Sequence, residues 1–441
     1  MLCISAKFVM FSEVPVSTAG AAQKQPSFLF SRPPWPRLGR LRGTILRQSM
    51  LQGVVTLGSV TQPIAPAPPC RDRFFEPFSS TSIWNVAIGE SAKYAHAGIY
   101  LPDGPCGSPP CNEATDFHND QDFFIRATPS DPLTPWIDQG DWGADDHCKV
   151  HGVEVARIPL PAAWTTASDA GRSAPGQPNN NAMGVLLLDN RTIVQMQPAY
   201  RCAPGAPLLA RWGNGTDGCP QRFPNITDIF GDGALGSHGG SGLSGVGGTI
   251  RLGELTGATP IAHALKLELQ HEWYFGLHPL QPPSTYNQGR RQYVWPATGS
   301  DSCSHDPPRG CYGGTMPSLA PGALLALPSA NASALRMRTP VGAKIKQALT
   351  DYGGYLVDDT GGSNSAAICM EAAVNLELRQ AYGYTMTYPH GVDANVSSPG
   401  HALYADLLAI FQSLHVVVNN GPSTVGGGGT PRRPRKPPIC D

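Results

Sequence analysis

The stretch Ile261-Ala-His-Ala-Leu-Lys-Leu-Glu-Leu-Gln-His-Glu-Trp-Tyr-Phe275 alternates along its whole length. Its odd positions are Ile261, His263, Leu265, Leu267, Leu269, His271, Trp273 and Phe275; its even positions include Lys266, Glu268, Gln270 and Glu272. Successive side chains of a strand point to opposite faces, so the pattern predicts one long strand with an apolar face buried and a polar face outward. Shorter segments agree. Val185–Leu188, the turn Asp189-Asn190-Arg191 and Thr192–Met196 read as a hairpin, and Asp122–Ile125 and Gly152–Ile158 as strands. Two helices are also readable. Thr339-Pro340 opens one, with Val341, Ile345 and Leu349 on a face and Gly353-Gly354 as its stop; Ser398-Pro399 opens the other, burying Leu403, Leu407, Phe411 and Leu414. The expected fold is mainly β, an antiparallel β-sandwich or jelly roll with a few peripheral helices.

Composition fits that class. The 441 residues are 41% hydrophobic, enough for a real core, and include 50 glycines and 44 prolines, which disfavour helical bundles. Only 15% are charged, against roughly 25% in ordinary soluble domains. With 32 basic and 33 acidic residues the net charge is −1, so no global field draws the chain to nucleic acid, which is not an expected partner. No run of eighteen apolar residues occurs, so no membrane span is expected. Residues 1–70 read as leader and linker, 71–420 as a single β-rich globular domain, and 421–441, through Gly426–Gly429 and Pro-Arg-Arg-Pro-Arg-Lys-Pro-Pro, as a flexible basic tail. Oligomeric state is not legible.

Cysteines and sequons set the compartment. Three of the intervals between the eleven cysteines are short and rich in Gly or Pro, and predict the local disulfides Cys106–Cys111, Cys202–Cys219 and Cys303–Cys311. No CxxC pair occurs, so a structural zinc site is not expected. Five sequons, at Asn190, Asn214, Asn225, Asn331 and Asn395, have meaning only in the secretory pathway. The expected location is therefore secreted or extracellular. The arginines and single acid of the first seventy residues leave an organelle lumen, reached through a transit peptide, as the alternative.

Chemistry is carried by few segments. In Asp116-Phe-His118-Asn-Asp120-Gln-Asp122 an extended backbone puts one imidazole and three carboxylates on one face, suited to acid/base work or a cation; a solvated strand face is the plainer alternative. His147-Cys-Lys-Val-His151 has helical metal spacing, but extended residues follow it, which would hold the rings roughly 13 Å apart. The Gly-rich run Gly231–Gly248 fits neither a phosphate loop nor a serine-hydrolase elbow. It suits a tight loop lining a site, or close packing between strands, and His238 is its side chain able to move protons near neutral pH. His263, on the apolar face of the long strand, is either a hydrogen-bonded core residue or a group lining a cleft. Trp142, Trp212 and Trp295, in polar surroundings, suit stacking on sugar rings.

The order Gly240-Ser-Gly-Leu-Ser-Gly, Gly248-Thr-Ile-Arg251-Leu-Gly-Glu254-Leu, Ile261-Ala-His263-Ala-Leu265, Tyr293-Val-Trp295-Pro-Ala, Leu349-Thr-Asp-Tyr352-Gly and Val357-Asp358-Asp359 resembles a family of secreted, largely uncharacterised bacterial proteins, over about residues 75 to 370. That resemblance implies an extracellular β-rich domain and marks His263, Glu254, Trp295 and Asp358. It implies no particular reaction. Asn179-Asn-Asn181 stands where the family pattern has an Asp/His-containing stretch.

Two functions follow as expectations. One is a carbohydrate-active hydrolase or lyase, with acid/base groups His118, Asp120, His238 and His263 and substrate contacts from Trp142, Trp212, Trp295 and Glu254. The other is a non-catalytic glycan-binding or cell-wall protein. Either way the partner is a polysaccharide or glycoconjugate, and no cofactor or metal is expected.

Overall fold

In the computed structural model, which describes residues 70–99, 116–138, 148–166, 182–210, 226–270, 274–275, 293–300, 318–360, 365–387 and 391–440, the alternating stretch is a strand over Leu265–Leu269. The described strands are β1 Tyr94–His96, β2 Asp116–Arg126, β3 Leu133–Asp138, β4 Val153–Pro159, β5 Met183–Leu186, β6 Thr192–Met196, β7 Ala199–Tyr200, β8 Leu208–Ala210, β9 Ile226–Asp228, β10 Leu265–Leu269, β11 Leu324–Ala326, β12 Gly354–Asp359, β13 Ser365–Glu371 and β14 His415–Val417. The α-helices are α1 Ser329–Ala334, α2 Pro340–Asp351, α3 Val374–Tyr382 and α4 His401–Gln412. The protein is thus β-rich with few helices. No described helix is long and apolar enough to cross a membrane.

Ten strands form one sheet in the order β1-β14-β11-β12-β10-β13-β2-β5-β6-β9, and four form another in the order β4-β3-β8-β7. Both sheets are mixed. β10 runs parallel to β12, β2 parallel to β13 and β5, and β3 parallel to β8, so the wholly antiparallel expectation is corrected. Parallel neighbours need long crossovers, and α2 and the loops between distant segments supply them.

The larger correction concerns β10. All five of its residues are buried, the even-numbered Lys266 and Glu268 included. On one side Leu265, Leu267 and Leu269 pack with Val341, Ile345 and Leu349 of α2 and Leu403, Leu407 and Phe411 of α4. Across the sheet, the Gly-rich segment closes over the polar face. Lys266 N–H donates to the Gly248 carbonyl at 3.1 Å, and its ammonium to the Gly245 carbonyl at 3.1 Å. A strand with both faces covered shows alternation of chemistry without alternation of exposure.

Local sequence explains the elements that were legible. The β5–β6 hairpin forms where expected, with the Asp189 carboxylate accepting from the Arg191 and Thr192 amides, both at 2.9 Å. Thr339 caps α2 by accepting from Gly342 N–H at 2.9 Å, and Pro340 follows it. Buried Asp406 of α4 then accepts from the Arg338 and Thr339 amides at 2.8 Å, which fixes α4 against the start of α2.

The carboxy-terminal segment is not a flexible tail. Cys440 is disulfide-bonded to Cys70, Arg433 pairs with Asp351 at 2.8 Å, Lys436 pairs with Glu76 at 2.7 Å, and Arg432 donates to the Thr350 carbonyl at 2.6 Å. Three of its four cations, Arg432, Arg433 and Lys436, bond to the body of the protein. Cys202 is bonded to Cys148 rather than Cys219, with Cα atoms 5.8 Å apart, because β8 and its parallel partner β3 bring distant loops together. Cys106, Cys111, Cys219, Cys303 and Cys311 lie outside the described residues.

Candidate functional site

The sheet register gathers the chemistry. In the centre of the larger sheet, Asp120 of β2 stands opposite Cys369 of β13, and Glu268 of β10 opposite Asp358 of β12. The Gly-rich segment crosses this face and contributes His238, fully buried, whose amide donates to the Leu243 carbonyl at 3.0 Å in a tight turn. Gly240 and Gly242 in that turn have φ of 60° and 72°, values that side chains resist. Ser241 N–H reaches the Val357 carbonyl of β12 at 3.2 Å, which pins the turn to the sheet.

The result is a recessed cluster of ionisable side chains. His238 Nε2 lies 3.8 Å from Asp120 Oδ2 and 4.0 Å from Glu268 Oε1, while its Nδ1 lies 3.6 Å from Asp358 Oδ2. Cys369 Sγ is 3.8 Å from His238 Nε2 and 3.6 Å from Glu268 Oε1. The carboxyls of Asp120 and Glu268 face each other, with an oxygen of each within 4.8 Å of the other. Behind them Asp122 forms a buried ion pair with Lys266 at 2.7 Å and accepts from Thr249 Oγ1 at 2.6 Å. Asp120 is the most open of the central groups, with 18% of its side chain exposed against 6% for Glu268.

Burial and crowding set the protonation states. Loss of water, then Asp120 and Asp358, push the Glu268 carboxyl well above its ordinary range, so Glu268 holds its proton more tightly than a solvated glutamate. Burial and the Lys266 charge pull His238 down to about 4, leaving a neutral imidazole at neutral pH. Burial and Glu268 likewise raise the Cys369 thiol. A neutral base therefore sits beside a protonated acid, an arrangement able to take a proton from water and return one to a leaving group.

Of the four expected acid/base residues, the structure brings two together, Asp120 and His238. His118 shares their strand face but pairs with Asp116 at 4.0 Å. His263 lies elsewhere, as the core reading has it: Nδ1 is 2.8 Å from the Ala264 carbonyl, and Nε2 is 3.1 Å from Glu254 Oε2. Expected in separate roles, His263 and Glu254 form one structural pair. Trp295 packs on the core cluster containing Trp84 and Tyr355 instead of standing free as a stacking platform. Trp142, Trp212, His147 and His271 fall outside the described residues. His151 is exposed, with Nδ1 3.0 Å from the Lys149 carbonyl. Three sequons are described, and Asn190, Asn331 and Asn395 are all exposed; Asn214 and Asn225 lie outside the described residues.

Sequence reasoning missed Glu268 and Cys369 as members of the centre. Two signals pointed there: a lysine and a glutamate two residues apart within an otherwise leucine-rich strand, and a cysteine inside the apolar run Ala366–Met370.

Fold and site together define a β-rich protein with a buried cluster of ionisable side chains. The chain matches no family model, no curated protein and no solved structure.

Proposed function

We propose that this chain is a secreted carbohydrate-active hydrolase whose chemistry runs at Asp120, Glu268 and His238. The observation that carries the reading is the close Asp120–Glu268 carboxyl pair, oxygens within 4.8 Å of each other, beside the buried His238 imidazole. Two carboxyls this close cannot both ionise, so one gives a proton while the other takes one. Displacement at a glycosidic bond needs carboxyls about 5–5.5 Å or about 6.5–9.5 Å apart, wider than the 4.8 Å within which these oxygens lie. Acyl hydrolysis instead moves both protons at one carbon. Water loses a proton to the ionised carboxylate and attacks the acyl carbon, and the protonated partner delivers its proton to the departing alkoxide oxygen. The pair therefore suits an ester substituent on a polysaccharide better than the glycosidic link. Elimination from a uronate would need a free cation, and Lys266 is committed to Asp122. The three exposed sequons and two disulfides support an extracellular setting, where such polymers are found.

The near-closure of the centre, with His238 fully buried, favours the second reading, a non-catalytic glycan-binding protein. A panel of native and esterified polysaccharides separates the two, assayed for released carboxylic acid or alcohol, new reducing ends and unsaturated uronate. Released acid or alcohol is the expected result. Polymers that are bound but left chemically unchanged would overturn the hydrolase reading and leave the binding one.

A further inference from the structure

The contacts within the cluster fall in a narrow range of distances. Four of them run 3.6, 3.8, 3.8 and 4.0 Å between a sulfur, a nitrogen and two carboxylate oxygens. Donors bonded at about 2.0–2.3 Å to one tetrahedral ion stand about 3.3–3.8 Å from one another. One donor atom from each of Asp120, His238, Glu268 and Cys369 lies within 4.8 Å of the other three, so slight contraction completes the tetrahedron. We propose that these four side chains bind a single zinc-class divalent cation.

Three further observations support it. His238 turns its other ring nitrogen, Nδ1, toward Asp358 Oδ2 at 3.6 Å, the carboxylate–histidine relation that orients a metal-bound imidazole and leaves its Nε2 lone pair facing the ion. Cys369 is the free cysteine among the described residues, and its sulfur faces Glu268 and His238 within the buried centre. Lys266, the lysine nearest the centre, is paired with Asp122 and so does not itself fill the cation position. A thiolate and an imidazole select zinc or cobalt over magnesium or calcium, which prefer all-oxygen sets. Binding exchanges protons for the ion: the cation enters, and the Cys369 thiol proton and the Glu268 carboxyl proton leave to solvent. The claim concerns the same side chains as the hydrolase reading and does not rest on it: an ion held by all four takes the place of the carboxyl proton that the ester cleavage uses, so the two are tested separately.

The test uses the full chain with disulfides intact, stripped with a chelator and titrated with Zn²⁺ by calorimetry, then loaded with Co²⁺ for spectroscopy. The expected result is one ion per chain, proton release on binding, and a cobalt spectrum with tetrahedral d–d bands and a thiolate charge-transfer band. Cys369→Ser abolishes that charge-transfer band. Asp120→Asn, at the open rim and so the variant that leaves folding undisturbed, weakens zinc binding at least tenfold. Absence of stoichiometric zinc binding, or binding that neither variant changes, overturns the proposal. Ester cleavage by a chelated protein that takes up no zinc would sink the metal site alone. Stoichiometric zinc with every polymer intact would sink the hydrolase alone.

Discussion

Glu254 shows how one residue is held ionised in a crowded place. Burial works to raise its pKa, but His263 at 3.1 Å and the Arg251 amide at 2.7 Å outweigh that effect, and the carboxyl sits below its ordinary 4.5. The unfolded chain takes up the proton first as pH falls. Its stabilising contribution is therefore fully present above about pH 4.5 and lost as pH drops through the depressed folded value. Glu254→Gln is expected to cost about 1–3 kcal/mol in urea unfolding at neutral pH, a gap that narrows below pH 4.5. A gap constant with pH would contradict this account of the pair. Both Glu254 and His263 were legible as notable residues. Their partnership was not, because nine residues separate them and only the fold closes the turn.

Among the elements, the Gly-rich segment does two things that the sequence left as alternatives: it lines the site, and it packs close on the sheet. At Gly248, with φ of 79°, an added Cβ would meet the Trp84 ring at 2.5 Å and Lys266 Cγ at 2.9 Å. Gly253 has a similar φ of 84° but nothing within 4 Å. Gly253→Ala is thus expected to cost about 1 kcal/mol from the backbone alone, and Gly248→Ala about 2–4 kcal/mol because overpacking adds to it. Equal losses in urea unfolding would show that the segment does not press on β10. The same covering explains the misread strand. Period-2 alternation correctly separated the leucine face from the lysine and glutamate face of β10, but alternation reports which residues share a face, not what lies over it. The β2 segment was better read: its extended backbone does put Asp116, His118, Asp120 and Asp122 on one side. Its partners came from β10, β12 and β13, which no local pattern connects to it.

Across the whole molecule, the legible part was class: a β-rich chain with late helices, stapled by disulfides. Topology was not legible, since parallel pairing between β2, β5 and β13 depends on contacts between distant segments. Nor was the carboxy-terminal strap. Its glycines and prolines resemble a solvated tail, yet Gly426–Gly429 all take positive φ, Gly89 N–H donates to the Gly426 carbonyl at 3.0 Å, and the Cys70–Cys440 bond holds the end in place. The large sheet, the helices on one side and the Gly-rich cover on the other leave Asp120 as the most open group of the buried centre. Under the proposed hydrolase function, Asp120 is therefore the group that substrate would reach first. The decisive comparison is the turnover rate of Asp120→Asn against wild type on the polymer that the wild-type chain modifies, with near-ultraviolet circular dichroism verifying the fold. A folded variant slowed about 10²–10⁴-fold is the predicted result; a folded variant that turns over at the wild-type rate would contradict the assignment of the chemistry to this centre.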